Sequence, residues 1–324
     1  MNYTVVNGHQ TESFAMRDAY AETMTGLVKE NPRIMYLEAD LMNSIGMVGF
    51  AKEFPDNTVN CGIQEANMIG VAAGMSAVGL IPFTHTFGCF ATRRALDQIF
   101  LSGAFARTNI RMLGSDPGVT AAYNGATHMP FEDIGLLRGI PGITIIEPVD
   151  SVMLRDMIRQ TAGMHGMFYI RLSRKNAVKV FTDDSTFEIG KAAKIKAGTD
   201  VTIIAAGICV DDAMKAAEEL AMKNISAAVL NIFTIKPIDR DAIKEAAEKT
   251  GAIVTVENHN IHNGLGSAVA EVLGECAPVP MKRIGIEDEF GEVGSVDYLK
   301  ERFGLTPENI IKQAEAVIKR KDHR

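Results

Sequence analysis

The sequence predicts an α/β fold with mainly parallel sheets. Short apolar runs alternate with longer helical patterns along the chain. Most of those short runs are continuously apolar, as strands covered on both faces should be. A polar break near the middle is followed by a second series of the same kind. The 324 residues leave room for about two domains.

The elements follow in order. A helix is predicted over about Ser13–Lys29, then a strand at "IMYLEA" (Ile34–Ala39). The short strand "TVNCGI" (Thr58–Ile63) leads into a helix over Glu65–Val78. "PFTHTFGCFATRRALDQ" (Pro82–Gln98) reads as a Thr- and Gly-rich loop carrying Phe83, Phe87 and Phe90, running into a helix over Arg93–Phe105. "IRMLGS" (Ile110–Ser115) is a strand that opens into a long Gly-rich loop. "ITIIEP" (Ile143–Pro148), a helix over Ser151–Ala162 and "FYIRLS" (Phe168–Ser173) complete the first series. The polar stretch "NAVKVFTDDSTFEIG", with paired Asp183 and Asp184, breaks the pattern. The expected organisation is therefore a domain over 1–176, a linker over 177–190 and a second domain over 191–324.

The second series holds strands "VTIIAAG" (Val201–Gly207), "AAVLNIF" (Ala227–Phe233), "AIVTVEN" (Ala252–Asn258) and "MKRIGI" (Met281–Ile286). Helices are predicted at Asp211–Lys223, Arg240–Lys249, Gly266–Leu273 and Thr306–Lys319. The last has explicit start signals: Thr306 as cap, Pro307 at the first helical position and Glu308 in the first turn.

Hydrophobic residues make up 47% and charged residues 23%, enough apolar material for sizeable cores. The net charge is -7 and no basic block stands out, which argues against nucleic-acid and membrane-surface partners. The 4 cysteines, Cys61, Cys89, Cys209 and Cys276, are scattered without metal or redox spacing. They read as reduced thiols of a cytoplasmic protein. The N-terminus "MNYTVVNGHQ" is polar and reads as no signal peptide. No apolar run is long enough to span a bilayer.

Three stretches carry chemistry. In "GIQEANMIGVAAGMSAVG", Glu65 stands at the mouth of a helix with Gly70, Ala72, Ala73, Gly74, Ser76 and Ala77. An acid at a helix start is ordinarily a dipole partner. So many small residues imply close approach of another backbone, as at a tight subunit interface. An acid there is partly desolvated, which favours a raised pKa and proton transfer. The aromatics Phe83, Phe87 and Phe90 are core filler or the slot for a flat heteroaromatic ring. The long loop after Ser115 ends at His128 and Pro130, and such loops in compact α/β domains are usually functional. His259 and His262 at i, i+3 spacing lack further ligands nearby and read as structural.

Taken together, these stretches resemble the C-terminal half of a transketolase, in the form split into two chains. "GIQEANMIGVAAGMSAVG", "HTFGCFATRRALDQ", "NGATHMPFEDIGLLRGIPGITIIEPVD", "RLSRKN" and "ADLMNS" resemble family segments, and the resemblance covers essentially the whole chain. The resemblance implies a thiamine-diphosphate pyrimidine-binding domain followed by a transketolase C-terminal domain. It implies a two-carbon ketol unit carried from a ketose to an aldose. Glu65 would hydrogen-bond the N1′ nitrogen of the aminopyrimidine, so that the cofactor's own imino nitrogen removes the thiazolium proton. Phe87 and Phe90 would pack on that ring, and Asp40 would lie near the cofactor. His128 would bind the donor's first hydroxyl and the oxygen beside it, while Arg17, Ser44 and Arg174 would hold the far, anionic end.

Some positions depart from the family pattern. Arg93 stands at an aromatic cofactor-contact position. Asn124 replaces an acid that reads sugar hydroxyls. Ser115 replaces a phosphate-binding histidine, leaving room for a sulfonate or a neutral sugar end.

The chain contains no Gly-Asp-Gly motif for the diphosphate and its Mg²⁺. No metal ligands are therefore expected here. A separate N-terminal subunit should supply that half of the site, in an α2β2 assembly. Two related enzymes share the architecture: the beta subunit of a 2-oxoacid dehydrogenase's decarboxylase component, and a 1-deoxyxylulose-5-phosphate synthase-like half. "GATH" and "LSRKN" favour transketolase over both. A scaffolding subunit without chemistry is a further alternative, and the retained Glu65 and His128 argue against it.

Overall fold

The computed structural model describes residues 1–322, which form two sheets flanked by helices. The first half contains strands β1 (Ile34–Glu38), β2 (Thr58–Asn60), β3 (Ile81–Phe87), β4 (Ile110–Ser115), β5 (Ile143–Ile146) and β6 (Met167–Leu172). Its helices are α1 (Met16–Glu30), α2 (Val48–Glu53), α3 (Glu65–Ala77), α4 (Gly88–Thr92), α5 (Leu96–Gln98), α6 (Asp133–Arg138) and α7 (Ser151–Gly163). The second half adds β7 (Ala193–Lys196), β8 (Val201–Ala205), β9 (Ala227–Asn231), β10 (Thr234–Lys236), β11 (Ile253–Asn260) and β12 (Met281–Ile286). With them come α8 (Cys209–Met222), α9 (Arg240–Thr250), α10 (Leu265–Cys276), α11 (Val296–Arg302) and α12 (Pro307–Asp322).

The first sheet runs β10-β5-β6-β4-β3-β1-β2 and is parallel except at β10. The second runs β12-β11-β8-β9-β7 and is parallel except at β7. The continuous apolar runs are the buried parallel strands, as their pattern requires. Helix starts are locally specified. Asp150 caps α7 by accepting the Met153 N–H at 2.9 Å, and Asp239 caps α9 through Ala242 N–H at 3.1 Å.

Three segments differ from the sequence reading. Pro82–Phe87 is not loop but most of β3, a fully buried strand between β1 and β4. Proline and two threonines disguised it. Pro82 is tolerated because it sits at the second residue of the strand, where one lost donor costs little. The single helix expected over Arg93–Phe105 is instead a 3₁₀ turn at Arg93–Ala95, the short α5 and a π-helical segment at Ile99–Phe105. Thr92 marks the break, since its Oγ1 donates back to the Gly88 carbonyl at 2.8 Å and such bonds bend helices. The strand read over Ala227–Phe233 ends at Asn231 as β9 of the second sheet, and β10, which the sequence reading did not include, begins just beyond it and edges the first sheet.

The stretch 177–190 is no free tether. The N-terminal arm bridges to it at Asn2–Thr186, Val5–Phe181 and Thr11–Val178. Phe181 and Phe187 are buried, 4.7 Å apart between ring centroids, with Tyr3 beside them. One continuous core joins the two sheets, running from α1 and α7 through Phe181 and Phe187 to α8 and α12.

Candidate active site

In open parallel sheets the carboxyl ends of the strands form the crevice where ligands bind. Several of the residues singled out above lie at that end of the first sheet. Asp40 follows β1, Phe87 ends β3, Ser115 ends β4 and Arg174 follows β6. Glu65 opens α3, whose packing against β3 brings it to the same end.

Glu65 is only 1% exposed. Its Oε1 accepts from Arg94 Nη1 at 2.7 Å and from Thr86 Oγ1 at 3.5 Å. Its Oε2 is buried and has no partner among the described residues. The Arg94 guanidinium lies 3.9 Å over the Phe90 ring, a cation–π contact. Phe90 and Phe87 both meet His128 edge-on, at 5.2 and 5.8 Å between ring centroids. His128 Nδ1 is 2.9 Å from Thr127 Oγ1. Glu65, Phe87, Phe90 and His128 thus form one apolar-walled, acid-bearing group.

Arg93 points elsewhere. It pairs with Glu132 at 2.9 Å and donates to the Thr127 carbonyl at 3.1 Å, so it braces the loop beside His128. At the far end, Arg17 Nη1 donates to the Ser44 carbonyl at 3.3 Å, and Arg174 bonds both that carbonyl and Ser44 Oγ. Arg174 Nε donates to Asp116 Oδ2 at 2.8 Å, and its guanidinium lies 4.9 Å over Phe87. Phe87 therefore joins the two groups. Among the described residues, neither Asp40 nor Asn124 hydrogen-bonds a member of them. Asp40, at φ +61°, is held by Asn60 at 3.2 Å, and Asn124 is exposed in the loop. That loop is strained at Asp116 (φ 55°) and Ala122 (φ 48°), as functional loops often are.

Ser115 does not face the crevice. It is fully buried, with Oγ 3.0 Å from His85 Nε2. Burial, helped by the Arg174 charge, pushes the His85 imidazole down to about 3. His85 is thus neutral in the fold, whereas in the unfolded chain it protonates near its ordinary value. Between these values the unfolded state holds one more proton, so this contribution to stability is lost as pH falls below about 6.5, by about 1.4 kcal/mol per unit. The stability advantage of wild type over His85→Gln in urea unfolding should therefore shrink at that rate from pH 6.5 to pH 5. A difference that does not change with pH would contradict the buried neutral state.

Sequence reasoning missed Arg94 and Asp116. Arg94 was legible only as a second arginine beside Arg93, and Asp116 only as a turn residue before Pro117. Among the described residues, no group of three or more His, Cys, Asp or Glu is placed to hold a metal ion.

The fold is that of an α/β subunit of the thiamine-diphosphate-dependent enzyme class. Residues 12–179 match the transketolase pyrimidine-binding domain and residues 190–310 the transketolase C-terminal domain. The chain belongs to the transketolase family, as a C-terminal subunit of the split type. It is 49% identical over 313 residues to the 6-deoxy-6-sulfo-D-fructose transketolase subunit SqwH of Clostridium sp. (strain MSTE9), covering 97% of each chain. It is 37% identical over 307 residues to an apulose-4-phosphate transketolase subunit from Phocaeicola vulgatus, covering 94% of this chain and 98% of that one. A solved split-gene transketolase, an inactive beta4 tetramer, matches with a TM-score of 0.87 and 38% identity, covering 95% of this chain and 99% of that chain.

Proposed function

We propose that this C-terminal transketolase subunit transfers the two-carbon unit of an anionic ketose, with a six-carbon sulfonated ketose as the leading donor. The single observation that carries the donor is the near-full-length likeness to a sulfofructose transketolase subunit. The clustered Arg17, Ser44 and Arg174 support an anionic terminus. Ser115, at the position of the family's phosphate-binding histidine, is turned away from the crevice into contact with buried His85, which supports a terminal group other than phosphate.

The residues fit thiamine diphosphate. Glu65 Oε2 is a buried acceptor in need of a donor, as a protonated ring nitrogen would supply. Phe87 and Phe90 offer the apolar face. When bound, the cofactor supplies the carbon that stabilises the carbanion of ketol transfer. Glu65 holds a proton at the pyrimidine nitrogen. Arg94 fixes the carboxylate and compensates its buried charge. Phe87 and Phe90 exclude water from the ring. His128 hydrogen-bonds the donor's hydroxyl end, Asn124 lies along the sugar path, Asp40 borders the cofactor, and Arg93 braces the loop beside His128. The diphosphate and Mg²⁺ fall to an N-terminal partner subunit, since this sequence has no Gly-Asp-Gly motif.

The proposed assembly is α2β2 and the proposed location the cytoplasm. The Gly70 and Gly74 side of α3 is open within this chain, and exposed Ile63, Val78, Phe100, Leu101 and Phe105 offer apolar surface to a second chain. No described helix is long and apolar enough to cross a membrane.

Ketol transfer is expected from the chain only when it is mixed with a Gly-Asp-Gly-bearing N-terminal subunit, thiamine diphosphate and Mg²⁺. The assay compares 6-deoxy-6-sulfofructose, fructose 6-phosphate and apulose 4-phosphate as donors, with sulfofructose expected to give the highest kcat/KM. Robust activity of the chain alone would refute the split site. A preference for either phosphate donor would refute the sulfonate reading.

A further inference from the structure

The second half of the chain contributes no residue to the groups described above, yet its strand β11 ends against the loop that carries His128. Asn258 is fully buried there. Its Oδ1 accepts from Val119 N–H at 2.9 Å, and its Nδ2 donates to the Pro117 carbonyl at 2.8 Å. The amide thus replaces a backbone partner for the first residues of the loop, meeting both a donor and an acceptor. Gly118, between them, has φ +53°, and a Cβ there would lie 2.1 Å from Asn258 Oδ1. Asn258 therefore sits where only a glycine loop can close over it.

The same strand end holds the far side of the loop. Asn260 N–H donates to the Phe131 carbonyl at 2.9 Å. Gly135 N–H donates to His259 Nε2 at 3.3 Å, while His259 Nδ1 faces the Asn260 carbonyl at 2.7 Å. The Asn258 carbonyl is in turn fixed by Arg171 Nη2 at 3.0 Å, and Arg171 binds Asp133 of α6. Three consecutive residues of β11 thus bracket the loop at Pro117–Val119 and at Phe131–Gly135, with Thr127 and His128 between.

We propose that Asn258 is a positioning residue for the donor site, setting the loop so that His128 stands against Phe87 and Phe90. This rests on the reading of His128 as the donor-binding residue. The strained φ values at Asp116 and Ala122 need such external fixing, because a loop left to itself relaxes toward ordinary backbone angles. A displacement of His128 by a fraction of an ångström is enough to spoil donor binding.

Two measurements test it. In the isolated chain, Asn258→Ala should raise hydrogen exchange at the amides of residues 118–131 by about tenfold or more, with α3 and α7 unchanged. In the complex with its partner subunit, the same variant should raise the donor KM by about tenfold or more and leave thiamine diphosphate affinity at the wild-type value.

Asn258→Asp separates positioning from general damage. Its ionised carboxylate accepts from Val119 but opposes the Pro117 carbonyl, whereas its protonated form satisfies both. Burial raises the carboxyl pKa, so the variant's donor KM relative to wild type should fall as pH is lowered from 8 to 6. Unchanged exchange in the loop, a wild-type donor KM, or a parallel loss of cofactor affinity would each overturn the proposal. The exchange measurement needs neither partner nor turnover. It therefore judges the clamp even where the wild-type complex shows no ketol transfer, an outcome that would refute the transketolase reading instead.

Discussion

Replacing Glu65 by Gln is expected to lower ketol-transfer turnover of the two-subunit complex by about 10²–10⁴-fold, with assembly intact. The two carboxylate oxygens have different settings. Oε1 already serves Arg94 and Thr86, and Oε2 is buried without a partner among the described residues. In the variant, the amide oxygen stays with Arg94, because turning the NH₂ toward a guanidinium opposes donor to donor. The NH₂ then occupies the place of Oε2, so the protonated ring nitrogen, which should meet an acceptor, meets a donor, and the amide has no acidic proton to give the neutral nitrogen. The side-chain volume barely changes, so the fold and the α3 surface persist. Turnover and thiamine diphosphate binding measure the first effect, and sedimentation of the complex measures the second. Unchanged turnover would overturn the assignment of Glu65 and favour a scaffolding subunit.

Arg171→Met should cost about 3–5 kcal/mol of folding stability, read from urea unfolding of the isolated chain. Arg171 and Asp133 side chains are 0% exposed and Glu147 is 4% exposed. Arg171 bonds Asp133 at 2.8 and 3.1 Å, Glu147 at 2.7 Å and the Asn258 carbonyl at 3.0 Å. Burial alone would raise the Asp133 carboxyl, but the guanidinium beside it overrides that and holds it below the ordinary range. At Glu147 burial prevails over the same guanidinium and the carboxyl is raised. Without Arg171 both acids lose their compensating charge, and one strand of the interface between the two halves goes with it. Adding Asp133→Asn and Glu147→Gln to the variant should recover much of the loss, since neutral amides need no counter-charge. A loss below about 1 kcal/mol, the scale of an exposed pair, would refute the account.

The fold was largely legible because parallel strands buried on both faces leave continuous apolar runs. β1, β4, β6, β8 and β11 each read directly from such a run. β3 did not, because its burial is supplied by neighbours on both sides and tolerates Thr84, His85 and Thr86 within the strand. The grouping of Arg17, Ser44 and Arg174 was implied by the family resemblance and not by residue types, and both arginines donate to the Ser44 carbonyl. Arg94 was not anticipated, since a guanidinium on a broken helix has no fixed direction in sequence. Its partner is a carboxylate 29 residues away.

By itself the sequence determined the α/β class, the Thr306 cap of the last helix, the presence of Glu65 and His128, and the want of a diphosphate motif. These depend on local pattern and on residue identity, which a linear chain displays. The tertiary structure alone decided that Glu65 is gripped on one oxygen and bare on the other, that Ser115 turns inward to His85, and that β10 crosses to the first sheet. It also decided that Asn258, 141 residues beyond Pro117, closes over the loop bearing His128. Direction and burial arise only when segments remote in sequence pack together, and hydrogen-bond partners are settled by that packing rather than by either residue alone.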